Sequence, residues 1–296
     1  MKKHLSTLFL LTLSQIAFAT PIESLNITTW NIEWLSHNSV PKITQSDRGA
    51  DDFERLRAYF IDTDSDILAF QEVDSVDAIQ EVVGKGYTIY LSDRAKPQNQ
   101  HRQFDDINQF TGFAVRDSLN VSNKSDVILD GSNNSRLRFA SYIVVRPQDK
   151  DPIHILSVHL KARCQSAYKN NRHCRTLKEQ GQTLNRWIVE RENNEQSYIV
   201  LGDFNHTLSH PKSWLWKIIG QDNQSQLATQ STQPDCIVRS NRNKGQTYQY
   251  RSIIDHIVVS ENLEASGNQQ ILFSEQDVLN YQLSDHCPIL STVKQR

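Results

Sequence analysis

A chain of 296 residues, 32 of them basic and 34 acidic, carries a net charge of −2. That balance excludes a generic polyanion binder, whose signature is strongly basic, and leaves room only for a local basic groove. The length suits one large domain or two small ones, enough to bury a sizeable core.

The chain opens on what reads as a secretory signal peptide, residues 1–19. Met1-Lys2-Lys3 is a basic start, residues 5–18 are mostly apolar, and Ala17-Phe18-Ala19 offers a small-residue cleavage site. The expected mature domain is 20–296, secreted or periplasmic. The apolar stretch is short for a membrane span and no later segment reaches that length, so no stable membrane insertion is expected.

Residues 25–30 alternate, are rich in β-formers, and deliver Asn31-Ile32-Glu33-Trp34. Behind Asp51 and Asp52, the residues Phe53, Leu56 and Phe60 fall at helical spacing. Residues 67–70 form a short buried strand ending in Gln71-Glu72. Asp74 and Ser75 can cap a helix carrying Val76, Ile79 and Val83. A strand at 87–91 precedes a polar loop, 93–108, expected to be mobile. Strands are predicted at 110–115, 139–145 and 153–160, with a weak strand and turns across 120–135. Leu177, Leu184 and Ile188 mark a helix with Trp187 beside its stripe.

Tyr198-Ile199-Val200-Leu201 is an apolar run with two β-branched members, the pattern of a buried strand, and it ends abruptly in Gly202-Asp203-Phe204-Asn205. Its carboxylate and carboxamide stand two residues apart on one face of the strand mouth. Polar groups there must be paired, bound to an ion, or used. A short helix at 214–219, a polar stretch at 221–233 and closing strands at 253–259 and 288–293 complete the chain. No repeat or linker divides it. Strands outnumber helices and several helices sit between strands, so the fold class is α/β or α+β, a sandwich in one domain.

All four cysteines, Cys164, Cys174, Cys236 and Cys287, lie in the mature part, and an even number in an exported chain points to two disulfides. Cys164 and Cys174 bracket a short polar loop and are expected to pair, leaving Cys236 with Cys287. No Cys-x-x-Cys spacing supports a metal site.

Six segments share one grammar, an apolar β-run with acids, amides or imidazoles at or near its end. They hold Asn31 with Glu33, Gln71-Glu72, His159, Asp203 with Asn205, Asp255-His256 and Ser284-Asp285-His286. One such end is ordinary, since Gly, Asp and Asn are common turn residues. Six together describe an active site. Hard oxygens suit Mg²⁺, with Mn²⁺ or Ca²⁺ as alternatives. Imidazole beside carboxylate suits proton transfer near neutral pH. The combination suits metal-assisted hydrolysis of a phosphate ester.

Thr29-Trp30-Asn31-Ile32-Glu33, Phe70-Gln71-Glu72-Val73, Ser157-Val158-His159-Leu160, Gly202-Asp203-Phe204-Asn205, Ile254-Asp255-His256-Ile257 and Ser284-Asp285-His286-Cys287-Pro288 follow one another in the order of the endonuclease/exonuclease/phosphatase superfamily. The chain resembles a deoxyribonuclease I-like member over essentially its whole mature length. The resemblance implies a four-layer sandwich, two mixed β-sheets face to face with helices outside. It implies Glu72 as principal metal ligand with Asn31 assisting, Glu33 as an additional ligand, and Asp285 supporting metal or phosphate. Asp203 and Asn205 would position water and phosphate. His286 would be the general base, oriented by Asp255, and His159 would contact the phosphate or aid the leaving group. Arg138 sits where relatives often carry a phosphate-binding arginine. Bland readings stand beside these: Asn31 as a turn residue, Glu33 as a solvated acid, His256 as a structural histidine, Lys161 and Arg163 as surface charges, and Trp214 and Trp216 as core.

His159 stands where abasic-site endonucleases usually have a Tyr-containing motif. Asn205-His206-Thr207 and Ile254-Asp255-His256 depart from the inositol polyphosphate phosphatase patterns. Sphingomyelinases typically present an exposed aromatic hairpin, and none is legible here. Deoxyribonuclease I-like enzymes often have Arg where this chain has His256. The leading expectation is a monomeric, divalent-cation-dependent endonuclease on DNA. The alternatives are a phosphodiesterase on phospholipid head groups or small organophosphates, and an inactive binding module on the same fold.

Overall fold

Alternation along the first strand sorts its side chains between two layers. In β1 (Leu25–Leu35), Leu25 and Ile27 enter one hydrophobic cluster, and Trp30 and Ile32 another. The computed structural model describes residues 24–132, 135–148 and 150–296; the expected signal peptide lies outside the described residues. After β1 come α1 (Ala50–Asp62), β2 (Ile67–Val73), α2 (Val76–Val83), β3 (Tyr87–Leu91) and β4 (Phe110–Arg116). The chain continues through β5 (Asn120–Asn123), β6 (Ser141–Arg146), β7 (Ile153–His159), α3 (Arg172–Asn193), β8 (Ser197–Asp203), α4 (Trp214–Ile219) and β9 (Gln226–Leu227). A small hairpin of β10 (Ile237–Arg239) and β11 (Thr247–Gln249) precedes β12 (Asp255–Val259), β13 (Leu263–Gln270), α5 (Glu275–Asn280) and β14 (Ile289–Gln295).

The strands form two six-stranded sheets, ordered β13-β14-β1-β2-β4-β3 and β5-β6-β7-β8-β12-β9. Each is mixed, with a parallel pair at its centre: β1 with β2, and β7 with β8. Ile27, Ile67 and Phe113 of the first sheet meet Ile155, Ile199 and Ile257 of the second in the central cluster. Leu201 is wholly buried there, and Leu201→Ala would cost about 2–5 kcal/mol through the cavity it leaves. α1, α2 and α5 cover the outer face of the first sheet through Phe53, Leu56, Ile79 and Val278. α3 and α4 cover the second through Leu177, Leu184, Ile188 and Leu215. This is the expected four-layer sandwich.

Both expected disulfides form, Cys164–Cys174 with Cα atoms 5.2 Å apart and Cys236–Cys287 with 5.9 Å. Among the described residues no helix is long and apolar enough to cross a membrane.

Two expectations are corrected. The polar loop at 93–108 is not loose: it winds into 3-10 turns around the wholly buried Arg94, which donates to the carbonyls of Arg102, Arg136 and Gln109. An exposed aromatic hairpin does exist, because β10–β11 and the residue after it present Tyr248 and Tyr250 to solvent. Its strands are only three residues each, too short for a period-2 signal.

Candidate active site

The parity that sends apolar side chains between the sheets sends polar ones to the mouth of the same space. Strand register then fixes who meets whom. His159 of β7 pairs with Asp203 of β8, and Asp203 lies opposite Asp255 of β12. On the facing sheet Asn31 of β1 stands beside Gln71 of β2. Below them a polar floor closes the apolar interior: Thr29 donates to Gln71 at 3.3 Å and Gln71 to the Ser157 hydroxyl at 3.1 Å.

At the mouth the backbone leaves regular strand geometry. The β1–β2 register slips between Asn31 and Leu35, and the β2–β4 register slips between Phe70 and Val73. Glu33, Trp34 and Glu72 have φ of 42°, 54° and 60°, a left-handed conformation that costs non-glycine residues about 1–3 kcal/mol each. The bulges re-aim Glu33 and Glu72 into the cleft. Asn205, at φ 51°, does the same for the loop after β8; its amide N–H donates to Asp203 Oδ1 at 2.7 Å in an Asx turn. Gly202 is required there: at φ 146° a Cβ would collide with the Val158 carbonyl of β7.

Asn31 Nδ2 donates to Glu72 Oε1 at 3.3 Å and to Asp203 Oδ2 at 3.2 Å, bridging the two sheets. Asn205 Nδ2 also donates to Asp203 Oδ2, at 2.9 Å. His159 Nε2 lies 3.5 Å from Glu72 and 3.4 Å from Asp203. His286 Nδ1 is 2.6 Å from Asp255 Oδ2, and its Nε2 is 3.7 Å from Asp285. The Nδ1–H donates to the carboxylate, so in the neutral ring it is Nε2 that carries the free lone pair. The loop before β14 is held at several points. Ser284 donates to the Asn31 carbonyl at 2.7 Å, Trp30 Nε1 donates to the His286 carbonyl at 2.9 Å, and Cys287 is bridged to Cys236.

The residues singled out by the strand-end pattern and the resemblance converge here. Glu33, Glu72, Arg138, His159, Asp203, Asn205, Asp255, Asp285 and His286 line one cleft of about 440 Å³. Asn31 is buried behind them, and Gln71 lies wholly buried in the polar floor. Three further residues belong to the site without having been expected. Arg48 donates to the carbonyls of Ile32, Trp34, Gln282 and Leu283, clasping the two loops that carry Glu33 and His286. Gln109 and Tyr250 line the cleft as well. A lone arginine before a helix has no periodic signal. For Tyr250, the Tyr248-Gln249-Tyr250 spacing in a basic stretch is the one legible clue.

Burial is the main electrostatic force on the acids. It pushes Glu33 up to about 8, helped by Asp285, and Asp203 up to about 7, with Asp255 adding to the rise. Burial raises Glu72 also, against the pull of Arg138. Burial alone would lower His286, but Asp255, Asp285 and Asp203 outweigh it and hold the ring well above the ordinary imidazole value. His159 goes the other way, well below that value, because it is buried and faces Arg138. Arg138 donates to the Leu160 carbonyl at 3.0 Å, and its buried Nε has no protein partner.

Ionising these acids together costs more than their protein neighbours repay, so a bound cation would stabilise their charged forms, and Asp255 Oδ1 is buried without a partner. Asp203, Asp255 and His286 bring one ligand atom each within 4.8 Å of one another. Glu33, Glu72 and Asp285 add hard oxygens beside them. The carboxylate oxygens of this group, and not the imidazole, fit a hard divalent cation.

His256 is in a different place. It points to the outer face of its sheet, wholly buried, where Nε2 accepts from Leu208 N at 3.0 Å and Nδ1 is 2.9 Å from Thr229 Oγ1. Both nitrogens are used, and burial lowers its pKa to about 3.

A two-sheet sandwich with acids, amides and imidazoles at one mouth defines a class. The chain belongs to the endonuclease/exonuclease/phosphatase family, whose model matches residues 28–286. It is similar in fold to an endonuclease/exonuclease/phosphatase from Bacteroides vulgatus, with a TM-score of 0.66 at 14% identity, over 92% of this chain and 99% of that one. The human Nocturnin catalytic domain with bound sulfate aligns with a TM-score of 0.65 at 18% identity, over 94% and 97%. A mannosyl-6-phosphatase from Bacteroides thetaiotaomicron aligns at 0.63 and 14%, over 91% and 99%. No curated protein matches the sequence.

Proposed function

We propose that this phosphoesterase-family chain is an exported, divalent-cation-dependent phosphodiester hydrolase that cuts DNA internally. The observation that carries the reading is the His286–Asp255 pair, 2.6 Å apart, beside clustered acids in one cleft. Mg²⁺ held by Glu72, with Asn31, Glu33 and Asp285 assisting, would supply charge neutralisation at the phosphate. Asp255 fixes the His286 tautomer, and Nε2 takes the proton of the attacking water. Asp203 and Asn205 orient that water and the phosphate. Arg138 and His159 contact the phosphate oxygens from the second sheet. The two disulfides support an address outside the cytosol.

A second reading, hydrolysis of a phospholipid head group, draws on exposed Tyr248 and Tyr250. One panel separates the two: closed circular DNA, linear DNA, RNA and sphingomyelin, each with Mg²⁺, Mn²⁺, Ca²⁺ or EDTA. Nicking of circular DNA with a cation supports the proposal. Hydrolysis of sphingomyelin alone transfers it to the second reading.

A further inference from the structure

Two segments beside the cleft have an unusual composition. Residues 161–178, which follow β7 and enter α3, contain Lys161, Arg163, Lys169, Arg172, Arg175 and Lys178 and no acid. Residues 236–251, the β10–β11 hairpin and its exit, contain Arg239, Arg242, Lys244 and Arg251 and no acid. In a chain of net charge −2, this is a strong local imbalance. Each arm is anchored by a disulfide. Cys164 and Cys174 pack into the cluster outside the second sheet, and Cys236 into the cluster outside the first. The arms therefore stand on opposite lips of the cleft, which Ala162 and Gln165 line from one and Cys236 and Tyr250 from the other. Among the described residues none of these ten cations forms an ion pair with an acid.

The arms also carry exposed rings. Tyr168 is 41% exposed, Tyr248 50% and Tyr250 39%. Tyr248 and Tyr250 meet edge to face with centroids 5.2 Å apart, so the edge of one covers a face of the other while both rings keep solvent-exposed surface. Cations tracking a backbone beside open aromatic faces are how proteins hold single strands, because unstacked bases have free π-faces and paired bases do not.

We infer that the two arms form one strand-holding surface across the cleft, and that the substrate is a single-stranded or locally unpaired nucleic acid engaged on both sides of the scissile phosphate. This rests on the phosphodiesterase reading above and narrows its substrate. A strand held from both lips enters the centre mid-chain, so cleavage is internal.

The test uses the oxidised full-length mature protein. The probe is a fluorescent DNA strand of about 20 nucleotides, long enough to cover one or two site sizes. Its binding, and that of the matching duplex, is measured by anisotropy in EDTA from low to high salt. The variants are Arg172→Glu/Arg175→Glu on one arm, Arg242→Glu/Lys244→Glu on the other, and Tyr248→Ala. All five positions are exposed, and far-UV circular dichroism confirms that each variant folds. The inference expects the single strand to bind more tightly than the duplex. Each charge-reversed arm should weaken binding and lower the log–log salt slope by roughly 0.7 for every phosphate it no longer neutralises. Tyr248→Ala should cost about tenfold. The ratio of DNA turnover to turnover of bis(p-nitrophenyl) phosphate should fall in all three. Unchanged affinity and slope in both arm variants overturns the inference. So does tighter binding of the duplex, or binding to anionic phosphatidylserine vesicles without binding to DNA. If the strand binds as expected while neither DNA nor the small diester is hydrolysed, the catalytic reading fails and the arms stand.

Discussion

Replacing His286 with alanine removes the proposed base and leaves the cleft open. An imidazolium forming beside a carboxylate whose nearest atom is 2.6 Å away is stabilised by about 4 kcal/mol, taking charge centres about 4 Å apart and an effective dielectric of about 20. At about 1.4 kcal/mol per decade that is about three decades of rate, inside the range of about two to four expected for losing a general base. His286→Ala should therefore turn over DNA and bis(p-nitrophenyl) phosphate about a thousandfold more slowly, while near-UV circular dichroism and cation binding by calorimetry stay close to wild type. Asp255→Asn should lose a comparable amount, since an amide can impose the wrong tautomer on the ring. The double variant should be scarcely worse than the worse single, because the pair acts as a unit. The pH profile carries the same logic. The surrounding acids hold the His286 proton above the ordinary 6.5, so the neutral base accumulates and the rate rises as pH climbs through that raised value. Asp255→Asn should move the limb toward lower pH. A His286→Ala enzyme with a tenth of wild-type turnover, or losses that multiply in the double variant, would refute the assignment.

Other outcomes follow from the same geometry. His256, held down to about 3 when folded against 6.5 unfolded, contributes stability that is complete above 6.5 and is lost as pH falls toward about 3. Unfolding takes up one proton in that window, a slope of about 1.4 kcal/mol per pH unit, and urea unfolding at several pH values should show His256→Ala without it. The same variant should keep turnover within a few-fold of wild type. Removing the Cys236–Cys287 bridge as a double serine variant should lower kcat more than removing Cys164–Cys174, because Cys287 directly follows His286. Each loss should also cost roughly 2–4 kcal/mol, read as a lower Tm. Arg48→Lys should lower kcat with KM little changed, since one ammonium cannot reach the four carbonyls that the guanidinium clasps.

Much of the site was legible because strand parity is a sequence property. Asn31, His159, Asp203 and Asp255 stand in step with the apolar residues of their own strands, so they share the face that reaches the mouth. His256 is one residue out of step, and the structure turns it to the opposite layer. Arg48 and Arg94 were not legible. Each works by donating to backbone carbonyls of distant segments, and a carbonyl leaves no trace in the side-chain pattern. β13 was hidden for a related reason: Glu264, Gly267, Asn268 and Gln269 make it a polar edge strand, specified by its register with β14 rather than by apolar alternation. The basic arms were hidden because net charge averages them against the acids elsewhere.

The most direct test of the account is cation dependence at Glu72, whose bulged position at φ 60° aims its carboxylate into the cleft. Nicking of closed circular DNA is followed in Mg²⁺ and in EDTA for the wild type and for Glu72→Gln, with thermal unfolding of both proteins in each buffer. The account predicts nicking by the wild type in Mg²⁺ only, a Tm raised by the cation, and a folded Glu72→Gln protein that neither nicks nor gains that rise. Full wild-type activity in EDTA, or undiminished cation-dependent nicking by Glu72→Gln, would contradict it.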